Sequence, residues 1–224
     1  MRWRKTGRYF EEFGTAVDNW LQPDNIQQKP GLVVAPRTSP TNIGMALVGD
    51  LAAYDFGYCS AAQFLLRTQN TFATLSRMER YQGHFFNWYD TRSLAPLHPR
   101  YVSMVDSGNL AANLLVLGSG CAELSEARVL PPRMFGGLGD TLRVLLDVAR
   151  SAEVLQVSAD MLRKIERQIE DLDHAPLALG AANALLSRLT VAAAELTAVT
   201  DSDAELAWWA RAYERSCHDH QTDL

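Results

Sequence analysis

Side chains able to hold a ligand concentrate between Arg37 and Asn109. The runs that carry them are Arg37-Thr38-Ser39-Pro40-Thr41-Asn42-Ile43-Gly44, His84-Phe85-Phe86-Asn87-Trp88-Tyr89-Asp90-Thr91, Pro99-Arg100-Tyr101-Val102 and Val105-Asp106-Ser107-Gly108-Asn109-Leu110-Ala111. Together they combine flat aromatic rings with side chains that donate and accept hydrogen bonds, which is the chemistry of a site for a neutral, hydroxyl-rich ligand. Sugar rings stack their C–H faces on Trp or Tyr while Asn, Asp, Arg and Ser bracket the hydroxyls. The candidate binding residues are Arg37, Asn42, Asn87, Trp88, Tyr89, Asp90, Asp106 and Asn109. The same residues also have plainer uses. Thr38, Ser39 and Pro40 suit a helix start. Asp106 or Ser107 suits a helix cap, and Trp88 suits a core ring at a loop crossing, with Asp90 closing a turn.

Other chemistry finds less support. Asp90 and Asp106 both lie in the right region for a glycosidase-like pair, but such a pair must flank one scissile bond in space, and sequence spacing does not provide that. His218 and His220 stand two residues apart, on different sides of a helix, and read as a frayed terminus rather than a metal tract. His84 and His98 are lone loop histidines. There is no Gly-rich phosphate loop, nucleophile elbow or HExxH motif. No metal or cofactor is expected.

Helices must position these clusters. The first is expected from Trp3 to Val17, before a stretch holding Pro23, Pro30, Pro36 and Pro40 that no continuous helix can cross. A second should start near Pro40, capped by Thr38 or Ser39, and run to Gly57. A third should run from Ser60 to about Tyr81. The Gln82–Val105 segment, long and aromatic, leaves room for one short strand or hairpin. A fourth helix is expected from Asp106 or Ser107 to Leu117. Pro131-Pro132 and Gly136-Gly137 then mark a break. Regular Ala- and Leu-rich helices follow near Leu138–Ala149, Ser158–Leu172, Leu177–Leu196 and Ser202–His218, with Arg163, Lys164, Glu166 and Glu170 on a solvated face. About eight helices and an all-α chain result, read as residues 1–130 bearing the motifs and 131–224 continuing them.

Composition agrees. At 224 residues and 47% hydrophobic, the chain can bury a substantial core. The mild net charge of −5 comes without a basic stripe, so nucleic acid is not an expected partner. Cys59, Cys121 and Cys217 form no CxxC pair and read as small buried residues. No long uninterrupted apolar run is present, so neither a membrane span nor a signal core is expected, and the reading is cytoplasmic.

The ordered runs Tyr9-Phe10-Glu11, Asp18-Asn19-Trp20-Leu21, Pro23-Asp24-Asn25, Arg37 to Gly44, Asp55-Phe56-Gly57, Gly83 to Thr91 and Pro99 to Ala111 carry a resemblance. From about Trp3 to Leu117 the chain resembles the cyclic β-1,2-glucan synthases of proteobacteria, at the start of their central, glucoamylase-like transglycosylation module. The remainder resembles the helical stretch that follows, through weaker motifs. The resemblance implies an (α/α)6 barrel in which helical hairpins form a ring and loops at one end form the ligand cleft. It also implies cleavage and closure of a linear β-1,2-glucan by two enzyme carboxylates.

Two departures matter. Pro36 stands where the family usually has His. The glutamates associated with the chemistry belong to motifs downstream, and none occurs here. The chain is therefore expected to be the first part of a truncated or split module, a partial ring with uncovered apolar faces. It should bind β-1,2-glucan, with the other modules of the synthase as partners, and neither cyclise nor hydrolyse it alone. The rival expectation is a noncatalytic helical remnant whose loops merely pack.

Overall fold

Proline and glycine decide where the first helices stop. The computed structural model describes residues 2–128, 130–131, 133–151, 158–200 and 203–224. Among them α1 spans Arg2–Phe13 and ends before Gly14, short of the expected Val17. The chain instead makes a 3-10 turn at Ala16–Asp18, closed by Asn19 in the left-handed region at φ 53°. After the proline stretch, α2 spans Pro40–Asp55. Of the two candidate caps it is Ser39 that serves, its Oγ accepting the Asn42 N–H at 3.3 Å. The next helix, α3 (Ala61–Arg77), stops before the expected Tyr81 because Arg80–Tyr81 (named β4) pairs with His84–Phe85 (β5) in a hairpin.

The fourth helix departs most from expectation. It is α4, spanning Met104–Ser125, which begins earlier and ends later than expected. The cap is Ser103, whose Oγ accepts the Asp106 N–H at 3.2 Å. Asp106 therefore lies inside the first turn, where a negative charge suits the exposed N–H groups. Gly118 and Gly120 do not end the helix. At Gly120 a side chain would be excluded by packing, since a Cβ there would meet Leu51 Cδ2 at 2.5 Å.

Short strands complete the elements. Ile26–Gln27 (β1) pairs with Val33–Val34 (β2) inside the proline stretch. Arg37–Thr38 (β3) pairs antiparallel with Tyr89–Asp90 (β6), placing Arg37 opposite Asp90 and Thr38 opposite Tyr89. After Glu126 come α5 (Arg133–Ser151), α6 (Ala159–Asp173), α7 (Leu179–Thr200) and α8 (Ala204–Thr222). Eight α-helices and only two-residue strands are present among the described residues, so the chain is all-α.

The chain divides into two compact units. A loop-rich unit comprises Thr6–Ala52 and Phe64–Glu126, and a helical unit comprises Met1–Lys5, Ala53–Gln63 and Ala127–Leu224. The sequence break read at 130/131 lies close to the last switch between them, while Met1–Lys5 and Ala53–Gln63 group with the later helices.

In the helical unit α5 packs on α6 and α8, and α7 packs on α8. Leu138, Leu142, Leu145, Ile165, Leu186, Trp209 and Tyr213 are buried at their centre. Gly136 and Gly137, expected to mark a break, lie within α5. Gly137 is there for close approach: a Cβ would stand 2.1 Å from the Gly57 carbonyl oxygen. Pro132 and Ser202 lie outside the described residues. The expected frayed terminus is not found. Instead α8 continues to Thr222, and His220 is buried with Nε2 3.2 Å from Gly57 O. Of the cysteines only Cys217 is buried, Cys59 and Cys121 being partly exposed.

The loop-rich unit has its own core, with Leu21, Ile43, Leu47, Phe64, Leu75, Tyr89 and Leu110 buried. Its segments are tied by polar contacts as much as by apolar ones. Arg67 pairs with the buried Asp50 at 2.8 Å and donates Nη2 to Phe10 O at 2.6 Å. Thr74 Oγ1 donates to Asn19 O at 2.8 Å, and Asn19 Nδ2 reaches Thr91 O at 2.8 Å. Pro36 uses only its carbonyl, which accepts from Thr91 N at 3.0 Å, so the missing N–H leaves no gap there.

Candidate polar-aromatic binding site

All four polar-aromatic runs meet in the loop-rich unit. The β3–β6 pairing brings Arg37 alongside the Trp88 loop, and the Arg37 guanidinium lies 4.8 Å from the Trp88 ring centroid. A planar cation over an indole face is a favourable electrostatic contact. The same guanidinium pairs with Asp24, Nη2 to Oδ2 at 2.9 Å and Nε to Oδ2 at 3.2 Å. Asn42, in the first turn of α2, points Nδ2 at the other oxygen of Asp24, 3.4 Å away.

Asn87 continues the network. Its amide satisfies every neighbour when Nδ2 faces Asp106 Oδ2 at 2.9 Å and Oδ1 accepts from the Trp88 indole N–H and from the Tyr101 hydroxyl at 2.7 Å. Its backbone N–H donates to Tyr101 O at 2.8 Å, which anchors the loop. The second oxygen of Asp106 accepts from Thr41 Oγ1 at 2.6 Å, and Asn109 Nδ2 donates to Thr41 Oγ1 at 3.1 Å. A single chain of contacts therefore joins Arg37, Asn42, Asn87, Trp88, Asp106 and Asn109, with Asp24 and Thr41 as links. Arg37 and Asn109 are exposed, and Trp88, Asn42 and Asp106 are half-buried, so one side of the network faces solvent.

Two expected members lie apart from it. Tyr89 is a core residue, not a sugar platform: it is fully buried, and its hydroxyl donates to Glu79 O at 2.6 Å and accepts from Phe86 N at 2.7 Å. Asp90 closes a turn, with Oδ1 accepting from Ser93 N, Ser93 Oγ and Arg92 N. Alternation turns Tyr89 away from Trp88 and into the core, while Asp90 is drawn off by the turn it closes. Hydrogen bonds from Ser93 hold the Asp90 carboxyl below its ordinary value. Burial alone would raise Asp106, but hydrogen bonds from Ser103, Thr41 and Ser39 outweigh it and hold that carboxyl low too. A general acid needs the opposite, a raised pKa that keeps its proton. Neither aspartate is suited to that role.

Asp24, Thr41 and Tyr101 were not among the candidates. Asp24 lies in the Pro23-Asp24-Asn25 run, and only its position opposite Arg37 and Asn42 reveals it as a hub. A hollow of about 260 Å³ opens beside Asp24 and Asn42 in the same unit. Among the described residues no group of His, Cys, Asp or Glu is arranged to hold a metal ion, and no helix is long and apolar enough to cross a membrane.

No protein-family model matches this chain. The cyclic β-(1,2)-glucan synthase NdvB of Rhizobium meliloti (strain 1021) is 37% identical to it over 235 aligned residues, which cover 98% of this chain and 8% of that protein. Along nearly its whole length, the chain is thus related to one segment of the cyclic β-1,2-glucan synthases.

Proposed function

We propose that this chain forms part of the glucan-binding wall of a cyclic β-1,2-glucan synthase, in the module that cleaves and cyclises the glucan by transglycosylation. The continuous network from Arg37 and Trp88 through Asn87 to Asp106 and Asn109 carries the reading. It offers an indole face, amides that donate and accept, and the acceptor oxygens of Asp24 and Asp106. These are the groups that orient hydroxyls on a neutral sugar chain. Relatedness to a protein named for β-1,2-glucan supplies the substrate class. On this reading the helices contribute to an (α/α)6 barrel in the cytoplasm, the remaining modules of the synthase are the partners, and the catalytic carboxylates lie outside this segment.

Titration calorimetry with β-1,2-linked glucooligosaccharides tests the proposal. Trp88→Ala and Arg37→Ala should each weaken binding about tenfold or more, as loss of a stacked ring or a paired cation does. Absence of a heat signal from the unmodified chain would sink the binding reading and leave the noncatalytic remnant. Incubation with linear β-1,2-glucan should yield neither cyclic nor shortened product. Either product would place catalytic groups within this chain.

A further inference from the structure

The hollow beside Asp24 has a composition that the Trp88 network does not explain. Its wall holds the half-buried rings of Tyr9 and Phe10, set edge to face at 5.3 Å, and its rim holds Asp24, Asn25 and Asn42. Gln22 lines it too, with Nε2 fixed on Phe10 O at 2.8 Å. The Gln22 Oε1 is buried and accepts no hydrogen bond from any described residue, although Gln22 is only 3% exposed. A buried carbonyl oxygen without a donor is costly.

Charge and size narrow the ligand. Asp24 Oδ2 accepts from Arg37 and from Asn25 Nδ2, each at 2.9 Å, whereas among the described residues Oδ1 has only the long 3.4 Å approach of Asn42. One carboxylate oxygen thus retains acceptor capacity while the charge is balanced by Arg37, which favours a hydroxyl over a cation or an anion. At about 260 Å³ the hollow is smaller than the roughly 300–1,000 Å³ of pockets for drug-sized ligands, so it suits one ring and not a chain. Arg37 links the two places, paired with Asp24 and stacked on Trp88.

We infer that the Tyr9–Phe10–Asp24–Asn25 hollow is a separate sugar subsite, taking a single neutral pyranose ring of the glucan whose neighbouring units contact Trp88. This rests on the glucan-binding proposal above. The ring stacks on Tyr9 or Phe10, a hydroxyl donates to Asp24 Oδ1, and Asn25 closes the rim.

The test is affinity against oligosaccharide length, measured calorimetrically on the full chain with β-1,2-linked glucose oligomers from the disaccharide upward. Asn25 is exposed, so its substitution should leave the fold intact. The unmodified chain should gain affinity with length until both places are filled. Asn25→Ala removes the Nδ2 bond that orients Asp24 at the rim, and should cut affinity for the longer oligomers about three- to tenfold, the range for one net hydrogen bond. Asn25→Trp, which fills the rim, should remove the length dependence altogether. If both Asn25 variants bind every oligomer as the unmodified chain does while Trp88→Ala loses binding, the subsite is wrong and the glucan-binding reading stands. If the unmodified chain binds no oligomer, both fall.

Discussion

Apart from the buried Arg4, the helical unit keeps its charges on the outside, whereas the loop-rich unit turns its polar groups toward one another. In the former, ion pairs such as Arg150–Glu166 at 2.7 Å and Lys164–Glu195 at 3.6 Å are exposed on both sides, and Leu, Ala and Trp209 fill the middle. Surface pairs of this kind contribute little. In the latter, Asn87 alone is tied to Asp106, Trp88 and Tyr101, and buried Asp50 is matched by Arg67. The difference teaches where information resides. An apolar core accepts many sequences of similar volume and pattern. A polar network needs a particular atom at each position, because an unmatched buried group is costly.

The largest effect should come from the core of the helical unit. Trp209 is 1% exposed, and the buried Arg4 guanidinium lies 5.3 Å from its ring centroid. Trp209→Ala should destabilise by about 3–5 kcal/mol in denaturant unfolding, through lost burial and a residual cavity. A loss below about 1 kcal/mol would show that this core is not tightly packed.

Next in size is Asn87→Ala in the loop-rich unit. It removes the shared partner of Asp106, Trp88 and Tyr101, and should cost about 1–3 kcal/mol while leaving the helical unit intact. Hydrogen exchange resolved by residue would sharpen the contrast: protection should fall around 84–110 and persist in α5 to α8. Equal loss in both would break the comparison.

The smallest effect is a pH dependence that differs between the units. Burial lowers the His220 pKa below 6.5, outweighing the opposing pull of the Gly57 carbonyl and Asp223. The unfolded chain then binds this proton more readily. The stability linked to a neutral His220 is full above pH 6.5 and is lost as pH falls from there through the lower folded value. Asp90 and Asp106 are depressed carboxylates, so their share persists down to about pH 3.8 and is lost below it. His220→Gln should therefore flatten the thermal-midpoint profile just below pH 6.5 and leave the more acidic loss unchanged. An unaltered profile would mean that His220 is not buried as described.

Much of this is legible in the sequence. Leu138, Leu142 and Leu145 on α5, or Ile43 and Leu47 on α2, recur at helical spacing and are buried as that spacing requires. Ser60 and Ser158 sit where cap chemistry places them, with Oγ accepting from Gln63 N and Met161 N. The structure departs from the local signal where a distant partner competes with it. Gly136-Gly137 looked like a break, yet Gly137 is the price of contact with Gly57 inside a helix. Asp106 looked like a cap, yet Ser103 caps and Asp106 faces Thr41 and Asn87. Tyr89 and Trp88 are adjacent aromatic residues, and only the strand pairing decides which ring is buried.

By itself the sequence determined the helical class, most helix starts and the residue types from which a sugar site is made, because backbone preference and apolar periodicity act over a few neighbouring residues. Tertiary structure decided which of those polar groups meet. Asp24 becomes a hub, and Tyr89 and Asp90 leave the site, through contacts between residues far apart in the chain that no local pattern encodes.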